Sequence, residues 1–122
     1  MTDPGEVMAK LDTLATELDQ RSKELADTER KLEPIEKKYE EEMGDWEANL
    51  WDEHTASEQK WPPEKLRLRL AHRAMDERLL GAYGAGQARR KRLEKRIASV
   101  KVQVDAQRSI LSALKAEMEA SR

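Results

Sequence analysis

Two histidines each stand one helical turn before a carboxylate, His54 before Glu58 and His72 before Asp76. A spacing of four puts both side chains of such a pair on one helix face. There they could hold a divalent cation or pass a proton near neutral pH. Two ligands do not complete a metal centre, and each histidine reads first as a solvent-facing or capping residue. Cysteine is absent, so thiolate chemistry and Cys-based zinc sites are excluded. The run Glu40-Glu41-Glu42 with Asp45 reads as a solvated helix face rather than a catalytic carboxylate pair. No P-loop, dinucleotide fingerprint or nucleophile elbow is present. The expectation is a protein that is not an enzyme and uses no metal or cofactor.

Charge is the more suggestive feature. The stretch Ala88-Arg89-Arg90-Lys91-Arg92-Leu93-Glu94-Lys95-Arg96 is strongly basic, and Arg89, Arg92 and Arg96 share one helical face. Arg67, Arg69, Arg73 and Arg78 add cations just upstream. Guanidinium groups at this density suit phosphate, so Arg67, Arg69, Arg73, Arg89, Arg90, Lys91, Arg92, Lys95 and Arg96 are candidate nucleic-acid contacts. The competing account is neutralisation within the protein. Residues 1–60 carry 8 Lys and Arg against 18 Asp and Glu, and residues 61–122 carry 15 against 7. An acidic half beside a basic half needs no outside anion. The five aromatics, Tyr39, Trp46, Trp51, Trp61 and Tyr83, all lie in the middle of the chain. They are candidate partner-binding residues, or else the core of a small helical head or of a dimer contact.

The elements that would position these residues are helices. Of 122 residues, 39% are charged and 38% hydrophobic, and Phe is absent. This excludes a disulfide scaffold, a collagen-like chain and a β-sandwich. No run approaches the ~20 apolar residues of a membrane span. The opening residues lack the basic and apolar regions of a signal peptide. No membrane partner and a cytoplasmic location are therefore expected.

Asp3, Pro4 and Glu6 mark a helix start as cap, first and third positions. Val7, Leu11, Leu14, Leu18, Leu25 and Leu32 then follow in steps of four, three, four, seven and seven, a heptad seam. Arg21 and Thr28 occupy the skipped seam positions and weaken it. Pro34 predicts a kink or break near Glu33. The apolar pattern resumes at Ile35, Tyr39, Met43, Trp46 and Leu50 with a shifted register. Trp61-Pro62-Pro63-Glu64 stops one helix and starts another of about five turns, carrying Leu66, Leu70, Met75 and Leu79. Gly81, Gly84 and Gly86 predict a short hinge. The last seam is regular: Leu93, Ile97, Val100, Val104, Gln107, Leu111, Leu114 and Met118, with polar Gln107 suited to setting register or partner choice.

These lengths predict an all-α protein, an antiparallel coiled-coil hairpin. Residues 3–33 and 87–121 form its stalk, and residues 34–86 an aromatic-bearing helical head, in one domain. In that register Arg89–Arg96 would face residues 22–32. A lone two-helix stalk buries little apolar surface, so a homo-oligomer is expected.

The closing stretch from Val104 to Glu117, VDAQRSILSALKAE, resembles the C-terminal signature of small helical-hairpin proteins of tailed phages. The acidic first helix and aromatic-bearing middle are similar too. Pro62-Pro63 and the glycine cluster have no match there. Genes of that group lie among DNA recombination and replication genes, near single-strand annealing and single-strand binding proteins. The resemblance implies an accessory role in phage DNA metabolism, in the host cytoplasm, with a recombination or single-strand binding protein as partner. It carries over no catalytic residue. Direct nucleic-acid binding across Arg67–Arg96 is one alternative, and a structural spacer or virion-assembly scaffold another.

Overall fold

The computed structural model describes residues 3–57 and 60–121. They form three helices and no strand: α1 (Pro4–Ser57), α2 (Glu64–Ala74) and α3 (Glu77–Ala120). The start of α1 follows its cap chemistry. Asp3 Oδ1 accepts the Gly5 N–H at 3.1 Å, and the Asp3 carbonyl accepts the N–H groups of Glu6 and Val7 at 3.0 and 3.2 Å. Pro4 sits at the first helical position, where no N–H is required.

Pro34 does not break α1, which is a single helix of 54 residues running through it. An interior proline costs ~3 kcal/mol. Here it is opposed by packing of the flanking seam residues, buried Leu32 and half-buried Ile35. The glycine hinge is also absent, because α3 runs unbroken from Glu77 through Gly81, Gly84 and Gly86. A Cβ on Gly81 or Gly84 would meet nothing within 4 Å. A Cβ on Gly86 would stand 3.4 Å from Leu32 Cγ and closer still to Leu32 Cδ1. Gly86 is thus a close-approach residue, not a pivot.

The real interruption is one to two turns earlier. α2 has 11 residues, about three turns rather than five. It ends at Met75, whose backbone is extended (φ −79°, ψ 155°). Asp76 then caps α3, its Oδ1 accepting the Arg78 N–H at 3.0 Å. Met75 and Leu80 occupy the two positions of a hydrophobic staple around that cap. The double proline acts as expected: Pro63 is extended (φ −57°, ψ 150°) and its carbonyl accepts the Arg67 N–H at 3.0 Å.

The chain divides into two compact units, Met1–Asp27 with Arg89–Arg122, and Thr28–Ala88. In the first unit, α1 and α3 pack with opposite directions. Ala9–Leu14 lie against Gln103–Gln107, Glu17 against Arg96, and Arg21 and Glu24 against Arg89–Leu93. Arg96 thus meets Glu17, outside the expected 22–32, while Arg89 and Arg92 line a groove with Arg21 and with Glu24, which lies inside that range. The first unit buries Val7, Leu93 and Val100, while Leu11, Leu14, Leu18, Leu25, Ile97, Val104, Leu111 and Leu114 stay half-buried. The second unit buries Thr28, Leu32, Ala71, Met75 and Leu79. Its register brings Leu32 to Gly86 and Tyr39 to Tyr83. A bulky Leu32 fits where α3 carries no side chain.

Candidate functional site

In the first unit, a groove of about 380 Å³ is lined by Arg21, Glu24, Arg89, Arg92, Leu93 and Arg96. Arg21 reaches it because it takes a seam position on α1, one that a leucine would otherwise fill. Its Nη1 donates to both Glu24 carboxylate oxygens, at 3.0 and 3.2 Å. Its Nε is buried and donates to nothing, with Glu17 Oε1 standing off at 4.0 Å. Arg96 comes from α3, and its Nε and Nη2 both donate to Glu17 Oε1, at 2.6 and 2.5 Å. The acidic first helix thus neutralises part of the basic last one, by contacts between helices.

The aromatics fall into separate groups within the second unit. Tyr39 and Tyr83 stack face to face, with centroids 3.9 Å apart and planes at 4°. The Tyr39 hydroxyl also hydrogen-bonds His72 Nε2 at 2.7 Å. Burial, and secondarily the neighbouring Tyr83 hydroxyl, push the Tyr39 phenol above its ordinary pKa. Tyr39 thus engages both of the other rings. Trp51 and Trp61 instead meet edge to face at 5.0 Å, and His54 meets Trp61 the same way at 5.6 Å. The Arg67 guanidinium lies 4.9 Å from the Trp61 ring centroid and its Nη1 donates to the Pro62 carbonyl at 3.2 Å. Trp51 keeps 56% of its surface exposed. Trp46 is apart from both groups and lines a groove with Glu42, Asp45, Asn49, Ala71, Ala74, Met75 and Asp76.

The candidate cations also divide. Arg67, Arg69 and Arg73 belong to the second unit, and Arg89, Arg90, Lys91, Arg92, Lys95 and Arg96 to the first. Arg69, Arg73, Lys91 and Lys95 are exposed. The His72–Asp76 pair is not a ligand pair, since His72 bonds Tyr39 and Asp76 caps α3. Glu58, the partner of His54, lies outside the described residues. Among the described residues no three His, Asp or Glu side chains group as metal ligands, and no helix is long and apolar enough to cross a membrane. Arg21 and Glu17 are the site residues that sequence reasoning missed. The signal was present, since an arginine at a heptad seam position must point its charge at the opposing helix.

No protein-family model matches the chain, and comparison with curated proteins and with solved structures found no match.

Proposed function

We propose that this chain is a non-catalytic, self-associating coiled-coil hairpin that docks a partner protein. One observation carries the reading. The chain exposes 9475 Å², whereas a packed monomer of 14.1 kDa exposes roughly 6,700 Å². The excess of roughly 2,700 Å² compares with the 1,000–2,500 Å² that an obligate homodimer removes from each partner, about half of its total interface. The unspent apolar surface includes the stalk. Eight seam residues there are only half-buried, and Met8, Val102, Ile110 and Met118 are exposed. A second hairpin laid on this seam would complete a four-helix core.

The exposed Trp51 edge, beside Trp61, is the surface offered to a partner of another kind. The likeness of Val104–Glu117 to phage helical hairpins supports a partner in DNA recombination or replication, such as a single-strand binding protein. Light scattering tests the core of this reading. We expect a solution mass at least twice 14.1 kDa; a strict monomer at about 100 μM, well above typical obligate-dimer dissociation constants, would refute it.

A further inference from the structure

A pair of helices leaves its seam open along two sides, and a second hairpin can cover only one of them. In the first unit the two sides differ in charge over residues 9–16 of α1 and 99–113 of α3. Helical spacing puts Asp12, Lys101, Asp105 and Arg108 on one side, all exposed. On the other side Lys10 is the one charged side chain, and its long stem lets the ammonium reach water. That second side holds a groove of about 490 Å³, lined by Ala9, Thr13 and Leu14 from α1, by Gln103, Ala106 and Gln107 from α3, and by Lys10. The Thr13 hydroxyl is spent on the Ala9 carbonyl at 3.1 Å, and the Gln103 amide donates to the Ser99 hydroxyl at 3.4 Å. Gln107 is half-buried, and its amide makes no hydrogen bond among the described residues. Ile110 follows Gln103, Ala106 and Gln107 at the steps of one helix face, and it is 39% exposed beside the hollow.

We infer, resting on the self-association reading, that a second copy of this chain docks on this side, with Ile110 of each copy seated in the groove of the other at Ala106. A two-fold axis makes the contact reciprocal. Ile110 and Ala106 are about 6 Å apart along α3, so the axis passes between them, beside Gln107. Each Gln107 amide then meets its own copy across the axis, where donor and acceptor satisfy each other. The charges fit the same register. Pairing 106 with 110 aligns Arg96 with the partner's Ala120, the last residue of α3. The arginines back to Arg89 therefore fall outside the contact, and no like charges are brought together. The uncharged side also covers the half-buried seam that leaves the lone chain with surplus surface.

Sedimentation equilibrium of the full chain tests the face. Ala106→Glu puts a carboxylate in the groove, and Ala15→Glu puts one at an exposed position on the opposite side of the seam. Glutamate is a good helix former, so helical circular dichroism should match the parent chain in both. We expect Ala106→Glu to raise the dimer dissociation constant about a hundredfold or more, because each copy buries a charge without a partner, and Ala15→Glu to change it less than about threefold. The chain has no cysteine, so Gln107→Cys tests the register: mild oxidation should link two copies through that position. Dissociation by Ala15→Glu alone, or equal effects of the two variants, would overturn the choice of side. A Gln107→Cys dimer that oxidation leaves unlinked would overturn the register. None of these outcomes touches the parent's own mass, whereas a monomeric parent refutes self-association itself.

Discussion

Three glycines within six residues of one helix offer a controlled comparison. Glycine in a helix interior is about 0.8–1.0 kcal/mol less favourable than alanine. Gly84→Ala adds a methyl group to open space, so it should stabilise by about that amount. Gly86→Ala gains the same propensity but drives its Cβ into Leu32, which is 2% exposed and has little room to retreat. Overpacking of a buried site costs about 1–3 kcal/mol. The two terms leave Gly86→Ala neutral to about 2 kcal/mol destabilising, and about 1–3 kcal/mol below Gly84→Ala. Urea unfolding followed by helical circular dichroism at one fixed protein concentration reads both, the concentration being held because association shifts apparent stability. Leu32→Ala completes a double-mutant cycle. In that background Gly86→Ala should turn stabilising, because the atoms it strikes are gone. Equal stabilisation by Gly84→Ala and Gly86→Ala would refute the close approach of Leu32 to Gly86.

Pro34→Ala should stabilise by about 1–3 kcal/mol, because α1 continues through the proline and regains a missing backbone hydrogen bond; no gain in a thermal melt would argue for a break there. Tyr39 gives an alkaline signature. Its phenol ionises at higher pH in the folded chain than in the unfolded one, so stability should hold below about pH 10 and fall as pH rises beyond it. Tyr39→Phe should lose the His72 bond and flatten that fall in denaturation midpoints measured from pH 8 to 11, spanning the ordinary phenol pKa of about 10.

Periodicity showed which segments are helical, because apolar steps of three and four survive any tertiary arrangement. The interruptions were less legible, since propensity acts against packing there. Pro34 and the Gly81–Gly86 cluster are breakers by local rule, yet each sits between packed seam residues whose burial outweighs it. The actual break was signalled by Asp76, a capping residue preceded by an apolar Met75 and followed by Leu79 and Leu80. Read with His72 as a ligand pair, its capping role was hidden. The site was half legible. Arg89, Arg92 and Arg96 were visible as one basic face. Which acidic residues they meet depended on register, and heptad steps alone do not choose among registers.

The division of the chain into acidic and basic halves admits two explanations that are often set against each other, internal neutralisation and an external anion. The stalk unit shows the first in part. Arg96 is spent on Glu17 and Arg21 on Glu24, and such half-exposed pairs contribute only ~0.2–1 kcal/mol each. Pairs that weak do little for stability, but they orient the arginines. A guanidinium tethered to a carboxylate on one side presents its remaining donors in a defined direction, at less entropic cost to a ligand than a free side chain would incur. Glu17→Gln separates the roles. It should lower stability by under ~1 kcal/mol, and the loss should shrink at about 1 M salt. It also raises the positive charge of the groove while releasing Arg96.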